Sequence, residues 1–284
     1  MTTIEPTVRD ALLGHAPPTA LTHPGDAAAR GVLRIAGRAT GHVVHALWPL
    51  ALVYVAWYAW VELKDLPPAV APHPGEVVAY ILDHPGSYVS DALNTASIVL
   101  LGLAVGTVAG VALATVSWFS VVARSAISAP TLITQCVPVA TMVPLIARVF
   151  GYNQRTVVLI AALIAFFPVL VFTSAGLRAT PPGTGDLFSV LGASRWQRFR
   201  LLAVPSGVPR LLLALRLSVV AAVVGAMLAQ WIMGTQGLGY RLAVAQASFR
   251  TSEAWGASLV AVLVSVTLSM CASALCRAAT RRFD

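Results

Sequence analysis

Few side chains in this sequence are spaced for catalysis. The sequence contains no Ser-His-Asp set, no carboxylate pair and no complete phosphate-binding loop with its lysine. The three cysteines, Cys136, Cys271 and Cys276, lie inside apolar runs and lack the spacing of metal ligands. We therefore expect no catalytic residue, no metal site, no bound cofactor and no enzymatic activity in this chain.

The most patterned polar residues form one stretch, residues 177–205, between two apolar segments. Ser194 and Gln197 have the spacing of a capping box, in which each side chain satisfies a free amide at a helix start. Gly192 is placed to end a preceding helix. The pattern predicts two short helices that meet at Gly192 and Ala193.

The second of these helices is both basic and aromatic. Its cationic and apolar side chains alternate along the chain: Arg195, Trp196, Arg198, Phe199, Arg200 and Leu202. Pro205 should end it, because proline lacks an amide hydrogen and clashes with the preceding turn. A short, rigid, basic and aromatic helix between apolar segments is typical of a docking element.

The composition shows which elements must hold this stretch in place. The chain has 284 residues, of which 57% are hydrophobic and 11% are charged, whereas soluble domains carry about 25% charged residues. A membrane-spanning helix needs about 20 apolar residues. Six charge-free runs are long enough: 39–61, 92–123, 125–147, 157–177, 217–240 and 254–276. The sequence therefore predicts an all-α membrane protein with six transmembrane helices.

The distribution of charge gives the orientation. A net charge of +8 taken alone would suggest a nucleic-acid partner, but the basic residues follow the membrane topology instead. With both termini cytoplasmic, fourteen of the 19 basic residues fall on inside segments and five on outside segments. This bias places residues 177–205 in the cytoplasm and excludes a nucleic-acid partner in favour of the lipid bilayer.

Glycine and proline mark the predicted spans. Gly102, Gly106 and Gly110 recur every four residues in the second span, so they should let another helix approach closely. Pro168 should break the fourth span, and Pro209 should open the fifth. Two segments outside the spans are predicted from the same residue types: residues 66–77 should be extended, and residues 234–240 should form a glycine-rich turn.

Polar side chains inside the spans are candidates for a solute path, because such residues are costly in lipid and often functional. The candidates are Asn94, Gln135, Thr141, Met142 and Gln230, with Gln230 the strongest. The alternative is that they only form hydrogen bonds between helices. Charged groups are almost absent from the spans, which argues against a proton-relay pump.

The polar stretch resembles the "EAA" loop in permease subunits of bacterial ATP-binding-cassette importers. That pattern is Glu-Ala-Ala, three residues, Gly, nine residues, Ile, one residue, Leu-Pro. Asp186 stands at the Glu position, Gly192 at the Gly position, and Leu202, Val204 and Pro205 at the last three. Leu187 and Phe188 replace the two alanines, so the first half departs from the pattern while the Gly-to-Pro half retains it.

Other segments resemble the nitrate, sulfonate and taurine permease branch and its thiamine-precursor and riboflavin relatives. They are Leu66-Pro67-Pro68, Pro72 to Val77, Phe150-Gly151-Tyr152, Phe166-Phe167-Pro168, Gly176-Leu177-Arg178, Gly192-Ala193-Ser194 and Gly237 to Tyr240. Together they cover residues 66–276. Those relatives often carry an acidic residue before the tryptophan, whereas this chain has Gln230 before Trp231. The role of that acidic residue is therefore not assigned to Gln230.

The resemblance implies the permease fold of type I importers (MetI-like), in the bacterial cytoplasmic membrane. It divides the chain into a cytoplasmic tail, 1–42, and a transmembrane domain, 43–284, with an external segment at 63–90 and a cytoplasmic coupling loop at 177–208. It implies docking of that loop on cytoplasmic ATPase subunits, which bind the ATP and Mg²⁺. It also implies an external solute-binding protein and a second permease copy, as a homodimer.

The solute class stays open. The resemblance favours a small anion such as nitrate, taurine or an alkyl sulfonate, with a thiamine pyrimidine precursor or a riboflavin-like heterocycle as the alternative. Two other classes of protein also stay open at this point: an autonomous secondary carrier or channel, and a membrane anchor or sensor.

Overall fold

The computed structural model describes residues 52–65, 67–127 and 137–280. The chain divides after Trp60 into a small N-terminal unit and a larger unit, Val61–Asp284. In the N-terminal unit residues 52–60 are helical. The predicted tail, 1–42, and most of the first predicted span lie outside the described residues.

Within the described ranges the regular secondary structure is helical throughout. In chain order the helices are α1 (Pro74–Asp83), α2 (Pro85–Phe119), α3 (Val139–Phe150), α4 (Gln154–Arg178), α5 (Thr184–Val190), α6 (Arg195–Arg198), α7 (Val204–Met233), α8 (Leu238–Ala247) and α9 (Thr251–Thr280). A π-helical turn, Phe199–Ala203, joins α6 to α7. Residues 121–127 are also helical, at the edge of the described range.

Four of the described helical segments are long and apolar enough to cross a membrane: Pro85–Phe119, Gln154–Arg178, Arg195–Met233 and Thr251–Ala278. They match the second, fourth, fifth and sixth predicted spans, and they confirm an all-α membrane protein. The third predicted span is not a continuous helix where it is described. Val137 and Pro138 are non-helical, and the described part of the span that follows them belongs to the 12-residue helix α3, which begins at Val139.

The structure corrects the effect predicted for three prolines. Helix α4 runs unbroken through Pro168. Pro209 lies inside α7, which begins at Val204, so it does not open that helix. A proline in a helix removes one backbone hydrogen bond and crowds the carbonyl four residues earlier. Neighbouring helices can compensate for that loss, and Val169 and Leu170 are buried directly after Pro168.

The third correction concerns Pro205, which does not end the helix that Ser194 begins. The helical path continues from Arg195 to Met233. The amide of Val204 bonds to the carbonyl of Phe199, five residues back. This wider π-type turn directly precedes Pro205, and the helix continues past this residue although it has no amide hydrogen to donate.

The centre of the fold is the packing of α2 against α4. A β-carbon added at Gly102 would approach Ala161, one at Gly106 the carbonyl oxygen of Ala162, and one at Gly110 the side chain of Val169. The four-residue spacing therefore produces close helix contact, as predicted. The main buried cluster continues from this contact to α3 and α7, through Val143, Val157, Ala222 and Ala226.

Two connections are more ordered than the sequence predicted. The segment predicted to be extended, 66–77, turns at residues 68–70 and enters α1 at Pro74. The predicted turn at 234–240 is shorter: Gly234, with φ of +68°, ends α7, and α8 already begins at Leu238. The fifth predicted span therefore stops at Met233 and not at residue 240.

Candidate functional site

The polar stretch forms two short helices with a sharp bend between them, as predicted. Helix α5 ends in a left-handed residue, Gly192, whose φ is +66°. The amide of Gly192 bonds to Ser189 and the amide of Ala193 to Phe188. This pair of hydrogen bonds is the Schellman motif, which closes a helix end and favours glycine. Local backbone chemistry therefore fixes the bend.

A capping box starts the second helix. The amide of Gln197 donates to the Ser194 hydroxyl at 3.2 Å, and the amide of Ser194 donates to the Gln197 side chain at 2.7 Å. The guanidinium of Arg198 also donates to the carbonyl of Ala193, at 3.3 Å. These bonds hold α6 in a defined direction with respect to α5.

The second helix is continuous with a membrane-spanning helix, because the π-helical turn connects α6 to α7 without a loop. Phe199 and Ala203 are the buried residues of this turn. A displacement of α6 is therefore a displacement of the end of α7. This rigid link is what a force-transmitting element requires.

We call helices α5 and α6, together with the bend at Gly192 between them, the elbow. Four aromatic rings connect the elbow to the end of α2; we call them the aromatic cluster: Trp118, Phe119, Trp196 and Phe199. The Phe199 ring centroid lies 5.1 Å from that of Trp118, 5.0 Å from Phe119 and 5.6 Å from Trp196. The Trp118 indole donates to the carbonyl of Leu177 at 3.2 Å. The cluster thus joins α2, the end of α4 and the start of the α7 path.

The elbow also has an exposed, partly apolar surface, which includes Trp196 at the edge of the aromatic cluster. The exposed apolar residues are Leu187, Val190, Leu191 and Trp196, with exposures between 56% and 86%. Asp186 and Arg195 are exposed beside them. An apolar patch with a charged rim on a segment outside the spans is typical of a protein-binding surface.

At the other end of the spans, the described residues form an ion cluster that the sequence did not reveal. Arg241 on α8 bonds to Asp91 on α2 at 2.6 Å and to Glu253 on α9 at 2.9 Å. Glu253 also pairs with Arg250 at 2.6 Å. Burial opposes the charge of Arg241, but the hydrogen bond and charge of Asp91 together with the charge of Glu253 outweigh it and raise its pKa.

Gln230 lies beneath this cluster and is fully buried. Its Oε1 accepts hydrogen bonds from the hydroxyl of Thr95 and the amide of Gly239, at 3.0 and 3.1 Å. The Thr95 hydroxyl in turn accepts from the amide of Leu238 at 3.0 Å. Because Gly237 before α8 has no side chain, Thr95 and Gln230 supply the acceptors that the first amides of α8 need.

The remaining path candidates lie in three different environments. Asn94 lines a polar pocket of about 330 Å³ with Asp91, Tyr240 and Arg241. Thr141 is exposed on α3, and its hydroxyl bonds to the carbonyl of Pro138. Met142 lines an apolar cavity of about 250 Å³ between α3, α4 and α7. Gln135 lies outside the described residues.

The chain matches the model of a known protein family. The model of the family described as the binding-protein-dependent transport system inner membrane component matches residues 106–284. The chain belongs to this family. It is therefore a multi-pass inner-membrane permease subunit of an ATP-binding-cassette importer, and its family works with an ATPase and a solute-binding protein.

Several curated permeases are similar to this family member. The formylaminopyrimidine transport permease protein ThiX of Halalkalibacterium halodurans is 32% identical over 174 residues, covering 61% of this chain and 70% of the relative. A probable ABC transporter permease protein of Haemophilus influenzae is 28% identical over 79% of this chain and 93% of the relative. The riboflavin transport system permease protein RibX of Chloroflexus aurantiacus is 32% identical over 52% and 55%.

Solved structures of importers share the fold. A chain of the MetNI methionine ABC transporter, in inward-facing conformations, superposes with a TM-score of 0.59 at 16% identity, covering 67% of this chain and 94% of that one. A chain of an amino acid ABC transporter gives 0.57 at 18% identity, covering 72% and 97%. At this identity the likeness supports the MetI-like fold alone.

The sequence alone did not predict two parts of the permease. The aromatic cluster joins residues of distant helices, and its signal was the Trp118-Phe119 pair near the end of an apolar run. The sequence also contains an indication of the ion cluster. Asp91, Arg241 and Glu253 are each adjacent to an apolar run, at the same predicted membrane face. Charges that flank several spans on one side can meet there.

Proposed function

We propose that this permease forms the translocation path of an ATP-driven importer and that residues 177–208 couple it to cytoplasmic ATPase subunits. In this proposal both termini are cytoplasmic, residues 63–90 lie outside, and ATP and Mg²⁺ bind to the ATPase. The observation that carries the proposal is the rigid elbow, whose second helix runs without a loop into membrane-spanning α7.

The elbow suits this role on both of its faces. The exposed face offers Leu187, Val190 and Leu191 to a partner protein, with Arg195 and Asp186 as flanking charges. The inner face is fixed by the aromatic cluster and by the Trp118 bond to Leu177. ATPase closure would therefore move the ends of α2, α4 and α7 together instead of being absorbed by a slack loop.

For the solute, the sequence favoured a small anion, with a heterocycle as the alternative. One described candidate, Met142, favours the heterocycle. Met142 lies in an apolar cavity with Phe167 and Pro168, and the residues that line it carry no charge. A desolvated anion would need paired charges or hydrogen-bond donors there. The two relatives at 32% identity are named for formylaminopyrimidine and riboflavin transport, which supports the same direction.

The proposed assembly contains two copies of the permease, two ATPase subunits and an external binding protein. A path between two copies would give a role to exposed Thr141, which faces away from the buried side of α3. Gln230 is better explained as an acceptor for α8 than as a solute ligand, because it is fully buried and bonded to Thr95 and Gly239.

The solute class is tested by a thermal-shift screen of the binding protein encoded beside this chain. Formylaminopyrimidine, riboflavin, taurine and nitrate are compared at equal concentration. The proposal predicts that a heterocycle raises the melting temperature and that the anions do not. A rise in melting temperature with taurine or nitrate alone would show that the solute is an anion.

A further inference from the structure

A basic groove lies between α7 and α9, on the side of the permease that carries the coupling loop. It has a volume of about 660 Å³. Its polar lining consists of two arginines, three serines and a cysteine: Arg216, Ser265, Ser269, Cys271, Ser273 and Arg277. Among the described residues no carboxylate lines this groove, so its positive charge is not neutralised from within.

The two arginines line the same groove from antiparallel neighbouring helices and lie about one helical turn apart. Arg216 donates from Nε to the Ser273 hydroxyl at 2.8 Å, and the Cys276 thiol bonds to the carbonyl of Leu212 one turn away. Arg277 is the next residue in the chain after Cys276. The guanidinium of Arg216 therefore has a fixed direction while its remaining N–H groups are free for a further acceptor.

Arg216 and Arg277 both lie where the hydrocarbon core of the bilayer should end. Arg216 directly precedes the apolar part of α7, and Arg277 directly follows the apolar run of α9. From Arg216 to Met233 the helix axis extends about 26 Å, close to the roughly 30 Å of a bilayer core. Lipid phosphates lie at this depth, and arginine binds phosphate with parallel hydrogen bonds.

The rest of the groove suits a lipid tail. Val220, Val266 and Met270 line its apolar part and are exposed. In addition, the hydroxyl of Ser269 is buried with no hydrogen-bond partner, which is a vacant polar position between the arginines and the apolar part. We propose that this groove binds the headgroup of an anionic phospholipid in the leaflet on the coupling-loop side, held by Arg216 and Arg277.

The consequence is a lipid contact on the helix that continues into the elbow. A bound lipid would bridge α7 and α9 near the Leu212–Cys276 contact. The permease should therefore prefer anionic over zwitterionic lipid at this position, whichever solute it carries.

The test uses the full chain in complex with its ATPase subunit, purified in a neutral detergent. Native mass spectrometry measures the binding of dioleoyl-phosphatidylglycerol and, separately, dioleoyl-phosphatidylcholine. The wild type should bind phosphatidylglycerol more tightly. Arg216→Gln and Arg277→Gln should each weaken that binding about fivefold, the effect expected for one basic residue near an anionic surface. Arg216→Lys should retain most of it.

The matched control is Arg148→Gln, which removes the same charge from an exposed arginine in the last turn of α3; its lipid affinity should equal that of the wild type. Should a Gln variant fail to assemble, the Lys variant and the comparison of the two lipids still decide the result. Equal binding of the two lipids, or an equal loss in Arg148→Gln, would overturn the proposal. Displacement of the lipid by 10 mM inorganic phosphate would show a site for free anions and overturn it as well.

Discussion

The indole of Trp118, near the end of α2, donates a hydrogen bond to the backbone carbonyl of Leu177, near the end of α4, at 3.2 Å. The same indole lies 5.1 Å from the ring of Phe199, in the π-helical turn after the elbow. One side chain thus connects two spans to the coupling element. It is the most direct route by which a displacement of the elbow reaches α2 and α4.

Replacing Trp118 by Phe tests this connection, because the ring stays but the hydrogen bond is lost. A neutral hydrogen bond contributes about 1 kcal/mol. We expect the variant to assemble with the ATPase but to show weaker stimulation of ATP hydrolysis by the loaded binding protein. The control is Trp231→Phe, at a half-exposed tryptophan on α7, which should behave as the wild type. Equal stimulation in both variants would exclude a role for this bond.

Replacing Gly192 by Ala tests the elbow. Its φ of +66° is unfavourable for a residue with a β-carbon, by about 1–2 kcal/mol. Since no atom lies within 4 Å of the added carbon, the effect is one of backbone strain alone. Gly192→Ala should reduce ATPase binding and transport, and Gly192→Pro should abolish transport while the protein still inserts.

The matched control for the elbow is Gly185→Ala in α5. Its added carbon also meets open space, but the backbone there is helical, so alanine should be neutral or slightly stabilising. Equal losses of transport in Gly185→Ala and Gly192→Ala would show that the bend at Gly192 is not the sensitive feature.

Replacing Ser194 by Ala removes one half of the capping box. Loss of such a cap costs about 1 kcal/mol of helix stability, so α6 should fray and ATPase affinity should fall several-fold in a pull-down titration. Ser189→Ala provides the comparison, since the Ser189 hydroxyl only bonds to a carbonyl of its own helix. If Ser194→Ala bound the ATPase with wild-type affinity, a preformed α6 would not be needed for docking.

Replacing Glu253 by Gln tests the ion cluster at the opposite end. Its nearly buried carboxylate accepts from Arg241, Arg250 and Tyr80, and hydrogen bonds to charged groups contribute about 1.5–3 kcal/mol. The melting temperature in detergent should fall by several degrees. Glu76→Gln, at an exposed glutamate in the first turn of α1, should not change it. An unchanged Glu253→Gln variant would mean that the cluster does not stabilise the fold.

The local features of the elbow could be predicted because they depend on neighbours in the chain. The capping box joins residues three apart, and the Gly192 motif closes within six residues. The apolar runs likewise predicted the long helices, because length and composition decide whether a segment can span a membrane. The family resemblance rested on the same short patterns.

Contacts between distant residues could not be predicted in this way. Pro168 and Pro209 lie inside helices because tertiary packing outweighs a local preference. The bond from Trp118 joins residues 59 apart, and the Asp91–Arg241 pair joins residues 150 apart. Gln230 stays a candidate for the solute path, and its contacts with Thr95 and Gly239 depend on where α8 begins, which the sequence does not show. These relationships follow from the three-dimensional arrangement of helices.

The central claim is that this permease moves solute only when an ATPase drives it through the elbow. The most direct test is solute uptake into proteoliposomes that contain either the chain alone or the chain with its ATPase subunit and binding protein. The account predicts uptake only in the complete system, dependent on ATP and abolished by Gly192→Pro. Uptake by the chain alone, driven by an ion gradient, would contradict it and identify an autonomous carrier.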